Sequence, residues 1–459
     1  MKRSENLNAT LFYMIGNLFD KAIALITVPI FTRIMSAADY GIFNTYASWV
    51  SIFAIFIGLS LGQTLRSAVY EKEIEIESYI SSIFGLSILD FVLTFCLVII
   101  LSFFFDFQIT RFMLALCLIQ SFLQFIRDTI AMKYMMQMRY VARTLILSIP
   151  NILVQLLAIA IILNMADDKY MGKAYSYVIV YLIVGVWLIV VQYHKSKDYS
   201  NYKYWKYGLT LSLPLVLHSL SCVVLSSSDR IMITMYVGTT ETGIYSLVYN
   251  MTLMTTVITT SFENVWIPWF SKHLNNNDRD SINQAVVSYI MCVALIVCAI
   301  IYVSPEMMDI LAPKEYAPGK SMAPLLMTAV FVTFLYTISV NLEYYRKATK
   351  NIAKNTCMAA MLNVILNMIF IPKYGAIAAA ATTLLSYIIA LIMHYRDGKK
   401  LEPELFPIRI YCVPVTIVIV CSISYYFITD YIYVRWSLAL FILLFLFIAF
   451  VRGKLIFLK

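Results

Sequence analysis

The chain has 459 residues, of which 61% are hydrophobic and 13% are charged, and its mean hydropathy is +0.79. Soluble domains carry about 25% charged residues, so this composition excludes a water-soluble globular protein. The net charge of +9 comes from lysines and arginines scattered over short polar gaps. Such scatter argues against a basic nucleic-acid-binding domain. We therefore expect an integral membrane protein with no nucleic-acid partner.

Apolar stretches long enough to cross a membrane recur along the whole sequence. Because a spanning helix needs about 20 apolar residues, they predict an all-α membrane protein with about 14 transmembrane helices. The first six are predicted at Leu11–Ile34, Ile42–Leu65, Tyr79–Phe105, Phe112–Met135, Leu145–Leu163 and Tyr175–Gln192. The others are predicted at Leu209–Val237, Ile244–Phe270, Ile282–Val303, Met322–Leu342, Ala353–Ile371, Ile377–His394, Ile410–Ile428 and Trp436–Val451.

The distribution of positive charge predicts the orientation in the membrane. Lysine and arginine are retained on the cytoplasmic side, near the ends of spans. Most of the 35 such residues fall in alternate loops on the side of Lys2 and Arg3. We therefore expect both termini in the cytoplasm. The family resemblance described below implies a bacterial inner membrane.

A short internal repeat predicts two related lobes. The segment Ser36-Ala-Ala-Asp-Tyr-Gly-Ile-Phe-Asn, after the first span, resembles Gly238-Thr-Thr-Glu-Thr-Gly-Ile-Tyr-Ser, after the seventh. Transporters are often built from such duplicated helix bundles. The alternative is that short turns converge on acidic-x-Gly sequences by chance. The repeat favours six-helix lobes over residues 1–200 and 201–400, with two further helices over residues 401–459.

The connections between spans argue against an enzyme. They are too short for a catalytic domain, and the Asp167–Asp168 pair is better interpreted as a solvated turn than as a metal site. All eight cysteines lie in apolar segments without a Cys-x-x-Cys pair, so neither bound zinc nor disulfide bonds are predicted. We expect no enzymatic activity, no cofactor and no metal.

Charged residues inside the apolar spans are the candidate functional residues, because a charge in the bilayer is costly unless it faces water, a partner or a ligand. The candidate bases for binding an anionic cargo are Lys21, Arg33, Arg66, Arg127 and Arg230. The candidate acids for ion coupling or charge pairing are Asp20, Asp90, Asp128, Asp229 and Glu263. The alternative is that these groups form interhelical ion pairs, or that those at span ends extend to lipid headgroups.

Several motifs resemble one transporter family. They are Pro29-Ile-Phe-Thr-Arg-Ile-Met, Asp39-Tyr-Gly-Ile-Phe, Asp229-Arg-Ile-Met-Ile through Gly243-Ile-Tyr-Ser, and Leu366-Asn-Met-Ile-Phe-Ile-Pro-Lys-Tyr-Gly. Together with length and span number, they resemble Wzx-type O-antigen and polysaccharide flippases. That family belongs to the multidrug, oligosaccharidyl-lipid and polysaccharide exporter superfamily.

The resemblance implies two lobes around a central cavity that opens alternately to each side. The implied cargo is an undecaprenyl-diphosphate-linked oligosaccharide, such as an O-antigen or capsular or exopolysaccharide repeat unit. Its pyrophosphate needs cationic partners, for which we expect the five bases, and its sugars need polar ones. Membrane lipids and polysaccharide polymerase or assembly proteins are the other expected partners.

The source of energy and two alternative functions stay open at this stage. The sequence has no Gly-x-x-x-x-Gly-Lys-Ser/Thr phosphate loop, so coupling to H⁺ or Na⁺ is the expectation. The alternatives are a cation-coupled multidrug exporter of the related branch and a scaffold of a polysaccharide assembly complex. The first should have an acidic or aromatic cavity, and the second should tolerate loss of the buried bases.

Overall fold

The computed structural model describes residue 23 and residues 25–451, with side chains through residue 449. This part of the chain is helical and contains no strand. The helices are α1 (Leu25–Ile34), α2 (Ala37–Phe56), α3 (Leu65–Ala68), α4 (Ile76–Leu101), α5 (Arg111–Met136), α6 (Tyr140–Leu163), α7 (Lys169–Lys195), α8 (Tyr202–Tyr236), α9 (Thr239–Asn275), α10 (Arg279–Leu311), α11 (Ala323–Tyr345), α12 (Thr349–Tyr374), α13 (Ala376–Leu401), α14 (Arg409–Ile428) and α15 (Ile432–Val451). Short 3₁₀ helices cover Leu61–Thr64 and Lys314–Ser321.

The predicted all-α, multi-pass membrane architecture is confirmed. Eleven helices of the described residues are long and apolar enough to cross a membrane, or up to 12 if one bent pair forms a single span. The count of 14 stays a prediction. Helix α9 is not among the eleven although it has 37 residues, because its many threonines lower its hydropathy. Within the first predicted span, the structure describes helix α1, which is ten residues long.

The second predicted span, Ile42–Leu65, is not one continuous helix. Helix α2 ends at Phe56, and the helical segment that resumes at Leu61 is bent by 54° relative to it. Three consecutive residues at the break, Gly58, Leu59 and Ser60, have positive φ angles of 79°, 47° and 56°. Since left-handed backbone is strained for residues other than glycine, surrounding contacts must hold this break in place.

The chain divides into two compact units. The first ends at Gly243 and is organised around α5, which packs against α2, α4, α6 and α7 and buries 72% of its most apolar stretch. The second begins at Ile244, within α9. In it α10 packs against α11, α14 and α15, and α13 packs against α11 and α12. The predicted repeat lobes with boundaries near residues 200 and 400 stay a prediction.

The two copies of the short repeat meet within the first unit, where the first turns of α2 and α9 cross. A Cβ atom built on Gly41 would lie 1.8 Å from the carbonyl oxygen of Thr239. One built on Gly243 would lie 2.0 Å from the carbonyl oxygen of Ala37. Ser36 caps α2, since its Oγ accepts from the Asp39 N–H at 3.1 Å and the Asp39 carboxylate accepts in return. The repeat therefore encodes a close backbone crossing that only glycine permits.

Candidate functional site

The predicted cationic residues do not form one described cluster. Lys21, with its neighbour Asp20, lies outside the described residues. Arg33 is exposed and donates to the carbonyl oxygen of Pro29, one turn earlier, at 2.8 Å. Arg66 is exposed in the short α3, and Arg230 is partly buried and donates to the Ser226 carbonyl oxygen at 3.4 Å.

Arg127 is the predicted base with the most extensive described network. Its side chain is 10% exposed and donates to Asp128 from Nε and Nη2, at 2.9 and 2.8 Å. Its Nη1 donates to the hydroxyl of Tyr181 at 2.5 Å and to the amide oxygen of Asn151 at 3.3 Å. The guanidinium has five N–H donors, and most are used here. The hydrogen bonds link α5 to α6 and α7, whereas the ion pair with Asp128 lies within α5. Whether Arg127 contacts cargo stays a prediction.

A cavity of about 230 Å³ lies in the first unit, beside the break after α2. The polar residues lining it include Ser60, Gln63, Gln124, Asp128 and Ser219. The Asp128 side chain is 49% exposed, so its carboxylate both pairs with Arg127 and faces this space. Among the residues that the structure describes, no lysine or arginine lines this cavity.

The remaining predicted acids have different surroundings. The Asp90 carboxylate accepts a hydrogen bond from the N–H of Gly58 at 2.7 Å, at the break in the second span. Asp90 therefore holds a strained backbone in place. Asp229 is 1% exposed within α8, and Glu263 lines a cavity of the second unit.

Lys173 is a buried cation that lies just before the predicted span Tyr175–Gln192. It lies near the start of α7 and is 8% exposed. Its Nζ is 3.8 Å from the ring centre of Phe31, 4.4 Å from that of Phe43 and 5.8 Å from that of Tyr40. Aromatic faces attract an ammonium group within about 6 Å. Lys173 therefore joins α7 to α1 and α2.

The second unit contains a cavity of about 280 Å³ bordered by α9, α11 and α13. We call it the threonine cavity. Its hydroxyl and carboxyl residues are Tyr249, Thr252, Thr256, Thr259, Thr260 and Glu263 of α9, Thr333 and Thr337 of α11, and Thr383 and Tyr387 of α13. Residues three or four apart lie on one face of a helix. Each helix thus presents a row of oxygen atoms to the same space.

The cavity threonines of α9 and α11 donate their hydroxyl hydrogens to carbonyl oxygens of their own helices. Thr256 donates to the Thr252 carbonyl oxygen at 3.1 Å, and Thr333 donates to the Ala329 carbonyl oxygen at 3.0 Å. Thr252, Thr259 and Thr337 make the same kind of bond, at 2.6, 3.1 and 2.7 Å. A hydroxyl has one donor and two lone pairs. These side chains therefore present acceptors to the cavity.

Of the residues lining this cavity, the sequence predicts only Glu263 as a candidate, because only charged residues within the spans were considered. The signal was present in the spacing of Thr252, Thr256, Thr259 and Glu263 along α9. A polar row with helical period inside an apolar span marks a face turned away from lipid.

A buried pair of polar side chains, which the sequence does not predict, joins α11 to α13. His394 Nδ1 lies 2.8 Å from the Glu343 carboxylate, and the two side chains are 1% and 0% exposed. The ring of Tyr336 stacks on His394 at 5.5 Å between centres. A second pair, between Arg435 and Glu306, joins α15 to α10 at 2.5 Å.

Comparison with known proteins places this architecture in a family. The polysaccharide biosynthesis protein family matches residues 7–274, more than half of the chain. The chain therefore belongs to that family. It is also 22% identical over 199 residues to the probable low-salt glycan biosynthesis flippase Agl15 of Haloferax volcanii. That alignment covers 42% of this chain and 41% of the relative, so the chain spans less than half of the curated protein it matches.

Solved structures with the same fold are membrane carriers. The lipid II flippase MurJ, in an inward closed conformation, superimposes with a TM-score of 0.70 and 16% identity, covering 97% of this chain and 99% of MurJ. An inward-facing multidrug resistance MATE transporter of the MOP superfamily has a TM-score of 0.59 and 12% identity, covering 83% of this chain and 98% of the transporter. The resemblance to a polysaccharide flippase is confirmed at the level of family and fold. These relatives are a probable flippase, a flippase and a transporter.

Proposed function

We propose that the protein translocates an undecaprenyl-diphosphate-linked oligosaccharide from the cytoplasmic to the periplasmic leaflet of a bacterial inner membrane. The cargo is an O-antigen, capsular or exopolysaccharide repeat unit, and the protein carries it by alternating access. Membership of the polysaccharide biosynthesis family carries this proposal. The carrier fold, matched over 97% of the chain, supports it.

The cargo has three chemically distinct parts, which need different surroundings. The pyrophosphate calls for cations, and Lys21, Arg33, Arg66 and Arg230 remain our candidates. Arg127 is a weaker candidate, since Asp128 neutralises it and Tyr181 and Asn151 take further donors. The sugars call for hydrogen-bonding groups, which both cavities supply. The polyprenyl tail requires no polar site, because lipid solvates it.

We propose H⁺ or Na⁺ coupling as the source of energy. Of the five candidate acids, Asp128 and Glu263 line cavities, whereas Asp90 is engaged with Gly58. Asp128 and Glu263 are therefore our first candidates, and Asp20 and Asp229 are retained. Transport that is unchanged when both ion gradients are collapsed would contradict coupling.

The cavities also give a specific reason to test a second function. Both contain a carboxylate, and within residues 25–449 neither is lined by lysine or arginine. A multidrug exporter with cationic cargo needs such a lining. Efflux of a cationic dye from cells that express the protein tests this alternative directly.

The test of the main proposal is the location of lipid-linked oligosaccharide in cells without the protein. We expect accumulation on the cytoplasmic leaflet and loss of surface glycan, both restored by the wild-type chain. Normal export in the deletion strain, together with dye efflux by the chain, would favour the multidrug exporter. Normal export without efflux would favour the scaffold role, whose partners would be polymerase or assembly proteins.

A further inference from the structure

We infer that the threonine cavity of the second unit is a glycan subsite, which accepts hydrogen bonds from hydroxyl groups of the cargo's sugars. This inference rests on the proposed function and assigns a place in the chain to one part of the cargo. The proposed subsite is lined by three rows of side chains, one each on α9, α11 and α13.

The first argument is the polarity of the hydrogen bonds. The hydroxyl hydrogens of Thr252, Thr256, Thr259, Thr333 and Thr337 are donated to carbonyl oxygens of their own helices. Their oxygens keep lone pairs that face the cavity, and the Glu263 carboxylate accepts only. A ligand that matches such a lining must be rich in donors. Sugar hydroxyls meet this condition, because each has a hydrogen to donate.

The second argument is the extent of the lining. Thr252 and Glu263 are eleven residues apart, which is roughly 16 Å along a helix at about 1.5 Å per residue. A metal ion needs its oxygen ligands gathered within about 2.6 Å of one point. Oxygens spread along the length of a cavity of about 280 Å³ suit an extended ligand better. This favours a glycan over a single bound cation.

The third argument is the mixture of surfaces. Leu253, Leu326, Val330 and Phe334 line the same space as the threonines. Small-molecule sites combine apolar walls with a few placed polar groups. A sugar ring offers C–H faces to apolar walls and hydroxyl edges to acceptors, so both parts of the lining are matched.

Replacement of two cavity threonines by valine tests the subsite. Valine keeps the β-branched shape and removes the acceptor, so we choose Thr256→Val combined with Thr333→Val. Thr356→Val in α12 is the matched control, since Thr356 is partly buried, makes the same bond to the Ile352 carbonyl oxygen at 2.9 Å and does not line the cavity. Melting temperatures of the purified variants show whether each is folded.

Binding is measured in nanodiscs with two probes. One is undecaprenyl diphosphate, and the other is lipid-linked oligosaccharide extracted from cells that lack the protein. We expect the double variant to bind the glycan-bearing lipid about tenfold or more weakly, at roughly threefold to tenfold for each lost hydrogen bond. Its binding of undecaprenyl diphosphate should be unchanged, and the control should match wild type for both probes.

Each other outcome contradicts a different statement. If wild type binds the glycan-bearing lipid and the folded double variant binds it equally well, the subsite is wrong and the proposed function stands. If the variant loses only a dependence of binding on sodium, the cavity holds a cation instead. If wild type neither binds nor translocates the glycan-bearing lipid, the proposed function is wrong, and the subsite with it.

Discussion

Gly41 and Gly243 pack backbone against backbone where the first turns of α2 and α9 cross. Each glycine faces a carbonyl oxygen of the other helix, that of Thr239 or that of Ala37. The Gly243 amide nitrogen would lie 2.8 Å from a Cβ on Gly41, and the Gly41 nitrogen 3.2 Å from a Cβ on Gly243. The two sequence copies thus contribute reciprocal halves of one contact.

Gly41→Ala should destabilise the protein by about 1–3 kcal/mol, because the new methyl group forces two helix backbones apart. Differential scanning fluorimetry in detergent measures the change. Gly398→Ala is the matched control, since a Cβ there would meet its nearest atom, the Ser339 Cβ, at an ordinary 3.6 Å. The control should be neutral or slightly stabilising. Equal melting temperatures for the two variants would contradict the close crossing.

Arg127→Ala should lower stability by about 1–3 kcal/mol, because the buried Tyr181 hydroxyl loses a hydrogen bond and Asp128 loses its ionic partner. Arg66→Ala should leave stability unchanged, since Arg66 is exposed. Melting temperature, protein abundance and accumulated lipid-linked oligosaccharide are measured together. Accumulation in Arg66→Ala at normal abundance supports a cargo contact. An Arg127→Ala variant of full stability would contradict the structural network.

Glu343→Leu should destabilise the second unit by about 1–3 kcal/mol, since it leaves the buried His394 ring without its hydrogen-bond partner. The combination of Glu343→Leu with His394→Leu should recover much of this loss, because two apolar residues need no partner. A double-mutant cycle on the unfolding free energies measures the coupling. Additive effects of the two substitutions would show that the pair is not formed.

Arg435→Ala should loosen the attachment of α15 to α10. Arg435 is 4% exposed and binds both oxygens of Glu306, and its Nη1 also donates to the Tyr302 carbonyl oxygen at 2.7 Å. Limited proteolysis should cleave near α15 faster than in wild type. Lys320→Ala removes the more exposed pair with Asp309, for which we expect little change. Similar cleavage rates in both variants would argue against a tie through Arg435.

Asp90→Ala should destabilise the break after α2, whereas Asp90→Asn should retain most of the stability. An asparagine oxygen can still accept from the Gly58 N–H, whereas alanine leaves that donor without its partner at a cost of about 1–3 kcal/mol. Thermal unfolding compares the two variants. If Asp90→Asn were as unstable as Asp90→Ala, the charge rather than the hydrogen bond would be needed.

The sequence predicted the helices well, because lipid imposes a simple rule of length and hydropathy. The predicted span Phe112–Met135 corresponds to α5, and Ile410–Ile428 to α14. The hydropathy pattern failed at Gly58–Ser60. The stretch Ile42–Leu65 is apolar throughout, but the helix is interrupted at these residues. A bend stabilised by Asp90 from another helix leaves no local signal.

The roles of the candidate residues stay predictions, because a residue's role depends on its neighbours in three dimensions. Arg127 is predicted to bind cargo from its charge alone. Its hydrogen-bond partner Tyr181 lies 54 residues away in the sequence, so the sequence does not reveal this contact. Lys173 lies outside the predicted span Tyr175–Gln192, because helix α7 begins earlier than its apolar stretch. The threonines of α9 carry no charge, so a criterion based on charge within apolar spans does not identify them.

The internal bonds of the cavity threonines have a consequence for turnover. A buried donor without a partner raises the free energy of an empty site, and a ligand that satisfies it is then difficult to release. In Thr256 and Thr333 the donor is satisfied whether or not the cavity is filled. The empty and occupied states can therefore be close in free energy, as rapid release and reuse of a carrier require.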